Sequence, residues 1–508
     1  MVGPSSSHTA GVLRIGRFGR SLIGGDPEKI DLYFYGGALA QTYKGHMSDS
    51  AIVAGLLGYL EDSLEVKTAL EEAKRRNIRV VCHSEYSSKR DPNTVDMRLL
   101  SKGRTFKVVG ITMGGGEILI TEIEDFPVSL RGNEDGVMLI ADRSFRIEEL
   151  EPILGAVHAR SIPSKNGASV LHIFVLDAVP IQEAIDKLAN VQGVSAVFGL
   201  ESVLNYKLMD ANPLFGSIAE MLRLAEQGGN SIVQLAVAYE RRRSGQTEEQ
   251  VRARVSEIWK TMKDSVKRGL EGENKMLAGF VSRDSAARMM RAVDGSRTLS
   301  GPILGKAIAR AIAAMETNAC AECIVAAPTA GSCGVVPGAI ITAIENLGLS
   351  DGEAIEALLV AALMGTLIAM RASLSGSVGG CQAEIGVASA MGGAALVQLA
   401  GGTPRQIAQA TAFALKNLLG LICDPVAGPV EIPCIKRNSI GVANAFVAAD
   451  MALAGLESGI PPDEVIGALA NTQELLPPEL KGTMGGGLSS TPTAIRLKKE
   501  WALRTSEQ

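Results

Sequence analysis

The apolar pattern changes twice along the chain, and each change marks a candidate domain boundary. In residues 1–127 short alternating or continuous apolar runs (DLYFYG, RVVCHSEY, TFKVVGITM, EILITEIE) predict strands. The stretches LRIGRFGRSLIGG and SAIVAGLLGYLEDSL carry apolar positions at helical spacing. Together they predict an α+β N-terminal domain. Residues 128–200 alternate more tightly: strand GVMLIAD, helix IEELEPILGAV, strand SVLHIFVLD, helix PIQEAIDKLANV, strand VSAVFGL. That order suits a small ferredoxin-like module. A polar linker at 201–212 leads to 213–508, where nearly every segment reads as helix, including IVQLAVAYERRR, EEQVRARVSEIWKTMKDSVKRGL, GPILGKAIARAIAAMETNA and IAQATAFALKNLLGL. The fold class expected is therefore α+β, then a ferredoxin-like module, then a mostly all-α domain. The final LRTSEQ reads as a frayed end.

Composition narrows the chemistry. At 508 residues the chain exceeds one ordinary core, and 46% hydrophobic residues with only 4% aromatics imply packing through Ala, Val, Ile and Leu. A net charge of -5 offers no general attraction to nucleic acid or to an anionic membrane, so neither is an expected partner. The longest apolar run, Ala357 to Met370, is bounded by Glu356 and Arg371 and falls short of the roughly 18 residues of a membrane span. It reads as a buried core helix. Seven cysteines without a signal peptide point to a reducing compartment, the cytoplasm by default.

Three late cysteines stand beside glycine or proline: Cys381 in SVGGCQAEIG, and Cys423 and Cys434 bracketing CDPVAGPVEIPC. A tight backbone there can bring three thiolates to one point. No obvious fourth ligand accompanies them, whereas structural zinc takes four protein ligands, so the set suits an iron–sulfur cluster with one iron open to substrate. Three buried free cysteines are the competing reading, and spacing alone does not choose between the two. Cys320 and Cys323 form a Cys-x-x-Cys pair with no second pair and no nearby histidine, and they read as structural.

Other motifs offer polar groups to a small anion. GPSSSHTAG, from Gly3 to Gly11, precedes a helix, where Ser5, Ser6, Ser7 and Thr9 can cap it or, with its free N–H groups, hold a carboxylate. APTAGSCGVVPG, from Ala327 to Gly338, is a glycine-rich loop entering a helix; Thr329, Gly331 and Ser332 can present hydroxyls and N–H groups, or simply allow close helix packing. In YGGALAQTYKGHMSD, His46 lies ahead of a helix whose dipole favours the neutral imidazole a general base requires, although a lone loop histidine is more often merely exposed. The run MGGGE reads as a bulge or hairpin turn.

Taken together, these motifs resemble the iron–sulfur-dependent L-serine dehydratases, or L-serine ammonia-lyases. GPSSSHT and KGH match the family's β-type portion; APTAGS, GCQAEIGVA and CDPVAGPVEIPCIKRN match its α-type portion, here fused in β then α order. The segment Val128 to Leu200 resembles the ACT-like module of some members. The resemblance implies a 4Fe-4S cluster with one open iron on Cys381, Cys423 and Cys434, His46 as base, and Ser5, Ser6, Ser7, His8 and Thr9 in the substrate pocket. It implies L-serine as the small-molecule substrate, no pyridoxal phosphate, and a homo-oligomer, in the simplest case a dimer. Two departures stand out. Met47, Ser48 and Asp49 replace the Gly-Thr-Asp that often follows the histidine, and the sequence ends in Gln508 rather than a cysteine, so no tail ligand is expected on the cluster.

The implied reaction is dehydration of serine, with iron acting as Lewis acid on the hydroxyl and His46 removing the α-proton. Rival readings are another cluster-dependent lyase acting on L-cysteine, L-threonine or a small hydroxy acid, and a non-catalytic sensor.

Overall fold

In the computed structural model, residues 1–508 are described except 37–38, 86–89, 148–149, 151–153, 177–178, 190, 205–212, 273–274 and 507–508. The chain divides into two compact units. One takes Met1–Ser6, Lys44–His46 and Leu208–Gln508; the other takes Ser7–Tyr43 and Met47–Lys207.

The second of these is built on two sheets. Strands β1 (Lys29–Tyr35), β2 (Arg79–Glu85), β3 (Thr94–Ser101), β4 (Arg104–Gly114), β5 (Glu117–Ile123) and β6 (Phe126–Leu130) form a six-stranded sheet in the order β2-β1-β3-β4-β5-β6. Only β1 and β2 pair in parallel. Alternation is clean in β1, where Ile30, Leu32 and Phe34 are buried and their neighbours are half-exposed. The helices Val12–Ile23 and Ser48–Leu56 belong to this half of the unit. MGGGE forms the turn between β4 and β5. Two elements go beyond the sequence reading: β3 and β6 complete the sheet. TVDMRLLS resists a strand reading because Asp96 sits on it fully buried and Arg98 interrupts its apolar run.

A second, antiparallel sheet contains β7 (Gly136–Asp142), β8 (Ala156–Pro163), β9 (Ser169–Leu176) and β10 (Val194–Leu200), in the order β10-β7-β9-β8. This is the strand order of a ferredoxin-like unit. The expected helix IEELEPILGAV lies partly outside the described residues, and its last residues, from Ala156, belong to β8 instead. That strand escapes the pattern because AVHARSIP is an edge strand carrying His, Arg, Ser and Pro.

The other unit is helical. Its centre is the Val387–Leu399 helix, VASAMGGAALVQL, buried on every side because Ala and Gly let the Val335–Leu347, Asp351–Ala369, Pro404–Asn417 and Cys434–Leu453 helices approach it. Two segments, Ala330–Leu347 and Asp351–Ala369, are long and apolar enough to cross a membrane, but 67% and 61% of their windows are buried within the protein. LRTSEQ is not a frayed end as far as Ser506: the Pro492–Ser506 helix runs through it, and Arg504 donates to the Ala278 carbonyl while stacking on Phe280 and Trp501.

The N-terminal segment joins this helical unit by backbone pairing. Ile324 N–H donates to the Met1 carbonyl and Gly3 N–H to the Glu322 carbonyl, with Val2 bridged to Cys323. Cys320 ends the Gly301–Ala319 helix and accepts a hydrogen bond from Arg283 Nε at 3.1 Å. Neither cysteine of this pair belongs to the thiol group described next.

Candidate active site and metal centre

Local sequence explains how each late cysteine is held. Cys381 opens a π-helical turn, Gln382–Gly386, that feeds the central helix. Its neighbour Gln382 is buried and fastens this turn to the approach to Cys423: Gln382 N–H donates to the Leu421 carbonyl and Gly420 N–H donates to Gln382 Oε1, both at 2.9 Å. Cys423 is fixed through its backbone, donating to the Leu480 carbonyl and accepting from Gly482 N–H. Cys434 begins the Cys434–Leu453 helix, where Asn438 Nδ2 donates to both the Cys434 and Gly331 carbonyls at 2.9 Å. That one side chain ties the Thr329–Ser332 loop to a cysteine.

The thiols form one electrostatic group. Ligand atoms of Cys381, Cys423 and Glu384 lie within 4.8 Å of one another. A hydrogen bond shared with Cys381 pushes the Cys423 thiol far above the ordinary range, and burial and the charges of Cys381, Glu384 and Cys434 push it the same way. Burial pushes the Cys434 thiol up as well, followed by the charge of Cys381, while Arg437 opposes the shift. Arg437 Nη1 donates to Cys381 Sγ at 3.4 Å, to Asp424 Oδ1 at 2.9 Å and to the Ile422 carbonyl at 2.8 Å. None of the three cysteines is in a disulfide. A bound metal takes the proton from a coordinating thiol, and sulfur donors grouped in this way suit an iron–sulfur group. A Cβ at Gly376 would lie 2.5 Å from Glu384 Oε2 and 3.3 Å from Cys423 Sγ, so only glycine leaves that space open. The donor set and this cradle fit the group.

The run between Cys423 and Cys434 is anchored from outside. Glu431, buried, accepts from the N–H groups of Ala278, Gly279 and Phe280 at 2.9, 2.9 and 2.6 Å. Gly45 packs on the same run: a Cβ there would lie 2.8 Å from Gly428 C and Pro429 N. Lys44 Nζ donates to the Thr505 carbonyl. His46, itself buried, therefore follows a residue seated on the segment that two of the cysteines bracket. It lies two residues before the Ser48–Leu56 helix, and Met47 between them takes a left-handed conformation.

Of the remaining expected residues, Ser6 joins the Thr329–Ser332 loop: Ala330 N–H donates to Ser6 Oγ at 3.3 Å. Thr329 Oγ1 donates to Glu384 Oε1 at 2.7 Å and pairs with Ser332 Oγ at 3.2 Å. Gly331 stands against the Glu384 carboxylate and gives its carbonyl to Asn438. Asn318 spans both loops, donating from Nδ2 to the Pro4 and Ala330 carbonyls, and its Oδ1 is buried with no partner among the described residues. Ser5 belongs to the same unit. Ser7, His8 and Thr9 belong to the other unit, where all three are buried. There His8 Nε2 contacts Asn93 Oδ1 at 3.0 Å, and burial holds the imidazole below its ordinary pKa. The serine-rich run is no cap for the Val12–Ile23 helix: Ser6–Gly11 is itself a π-helical turn.

Sequence reasoning missed Glu384, Asp424, Glu431, Arg437, Asn438 and Asn318. Most lie inside the motifs already singled out, and the signal was charged or amide residues within runs otherwise made of Gly, Pro and small apolar residues.

Comparison with known proteins identifies the assembly of these parts. Residues 227–489 match the family described as Serine dehydratase alpha chain, and residues 1–119 match Serine dehydratase beta chain. The chain belongs to the serine dehydratase family. It is of the fused type, with both portions in one polypeptide in β then α order. Over 287 residues this dehydratase-family chain is 42% identical to the "Probable L-serine dehydratase, alpha chain" of Bacillus subtilis (strain 168), covering 56% of this chain and 95% of that protein. Over 502 residues it is 29% identical to the "L-serine dehydratase" of Streptomyces coelicolor, and over 504 residues 28% identical to "L-serine dehydratase 2" of Escherichia coli (strain K12), each covering 96% of both proteins. All three cysteines, Glu384 and Arg437 fall in the alpha-chain match, and His46 falls in the beta-chain match. The β7–β10 sheet lies between the two.

Proposed function

We propose that this chain converts L-serine to pyruvate and ammonia, with Cys381, Cys423 and Cys434 holding a 4Fe-4S cluster. The observation that carries the reading is the group of interacting thiols beside a run on which the His46 loop is seated. When bound, the cluster supplies a Lewis acid that polarises the serine hydroxyl.

The chain's own groups account for the remaining steps. Arg437 sets a fixed positive charge beside the ligand sulfurs, offsetting the anion they create. Ser6 Oγ and the backbone of the Thr329–Ser332 loop orient the substrate carboxylate, and Asn318 and Asn438 hold that loop in register with the thiols. His46 removes the α-proton, the Cβ–O bond breaks, and the hydroxyl departs as water with a proton from solvent. Aminoacrylate leaves, becomes an imine and is hydrolysed to pyruvate and ammonia. Ser5, Ser7, His8 and Thr9 are assigned to substrate binding in this reading on the family motif alone, and pyridoxal phosphate has no part in it. Full-length relatives named L-serine dehydratase support the choice of substrate.

The β7–β10 sheet we read as an ACT-like regulatory module. Its strand order supports this, as does a cavity of about 390 Å³ lined by Asp142, Ser144, Arg146 and Gln192, which offers both charges an amino acid needs. A cytoplasmic homodimer is the expected state of the enzyme. The test is an anaerobic assay of L-serine, L-threonine, L-cysteine and glycerate side by side. Pyruvate formed fastest from L-serine supports the reading, and turnover of glycerate in preference to serine overturns it.

A further inference from the structure

Glu384 stands in the thiol group with no task in the reaction as read above. Its carboxylate lies within 4.8 Å of the Cys381 and Cys423 sulfurs, yet the two oxygens meet different surroundings. Oε1 accepts the Thr329 hydroxyl at 2.7 Å. Oε2 stands against Gly376, where a Cβ would lie 2.5 Å from it and 3.3 Å from Cys423 Sγ. Carboxylates that ligate a metal are themselves hydrogen-bonded, one oxygen steadied while the other binds. No cation lies within 4.0 Å of Glu384 among the described residues, and Nη1 of Arg437 is directed to Cys381, Asp424 and the Ile422 carbonyl.

We propose that Glu384 is the oxygen ligand of the fourth iron in the substrate-free enzyme. The inference rests on the iron–sulfur reading above. Substrate then enters by exchange: the bond from iron to the carboxylate oxygen breaks, the bond to the serine hydroxyl oxygen forms, and no electron is transferred. The Thr329 hydroxyl retains Oε1 throughout, so the displaced carboxylate stays in place to return.

The test compares wild type with Glu384→Gln, both purified anaerobically, by counting iron and sulfide and by recording the reduced cluster's resonance spectrum in ¹⁷O-labelled water without substrate. Equal iron and sulfide is expected in both, because three thiolates hold the cluster. Broadening by labelled water is expected in Glu384→Gln alone. On mild oxidation the variant should also pass to the three-iron form several-fold faster. Labelled water on the iron of the wild type, or equal rates of iron loss, overturns the ligand role while leaving the cluster standing. A raised KM for serine with neither of those changes overturns it too, in favour of a contact with the substrate ammonium. Wild type that is active without iron and sulfide overturns the cluster reading and this inference together. Should Glu384→Gln not fold, the wild-type spectrum in labelled water decides alone.

Discussion

Thiols at Cys381, Cys423 and Cys434 act on one another, whereas the Cys320 sulfur accepts from Arg283 and the Cys323 sulfur from the Met1 ammonium. Cys381→Ala, Cys423→Ala and Cys434→Ala should each lose cluster and activity, and Cys320→Ala and Cys323→Ala should keep both; iron and sulfide analysis of the five variants checks this. His46→Ala should retain its iron but turn over about 10²- to 10⁴-fold more slowly, the usual cost of losing a positioned base. Exchange of the serine α-proton with solvent at the wild-type rate in that variant would move the base elsewhere. His8 carries a pH signature. Burial, only partly opposed by Asn93, lowers its folded pKa below the unfolded value near 6.5. The stability it contributes is therefore complete above that value and declines as pH falls below it, when the unfolded chain binds a proton the folded chain resists. His8→Gln should unfold with a shallower loss of stability between pH 7 and pH 5, measured by denaturant titration; an unchanged slope would contradict the assignment.

Elements hold these residues in register, and the loops around the cysteines are built from few contacts. Glu431 satisfies several N–H groups of one loop at once, so Glu431→Ala should leave buried donors unpaired and cost roughly 3 kcal/mol in unfolding free energy, the scale of hydrogen bonds to a charged acceptor. Gly45→Val has no room against Gly428 and Pro429, and should lower kcat while cluster content stays near wild type. Much at this scale was legible in the sequence. The Gly301–Ala319 helix spans the same residues as GPILGKAIARAIAAMETNA, and the Glu248–Glu271 helix follows its capping box at Thr247. What was not legible has physical causes. β3 carries a buried aspartate and β8 is a polar edge, so neither alternates cleanly. Glu384 and Arg437 could be seen as residues but not as neighbours of sulfur, because a π-helical turn and a helix start aim them there.

At the scale of the whole chain, two portions that match separate alpha-chain and beta-chain families are joined in one polypeptide, and a sheet that neither match covers lies between them. If the β7–β10 cavity takes an amino acid, Arg146→Ala should abolish any serine-dependent change in the saturation curve without altering the limiting rate, and unchanged curvature would remove the regulatory reading. The central claim is that three thiolates hold a cluster whose open iron receives serine. The most direct measurement is Mössbauer spectroscopy of ⁵⁷Fe-loaded enzyme, prepared anaerobically, with and without L-serine. The account predicts equal iron and sulfide and one iron subsite whose parameters shift when serine is added, with the other three unmoved. Active enzyme with no iron and sulfide, or a cluster whose four sites ignore saturating serine, would contradict it.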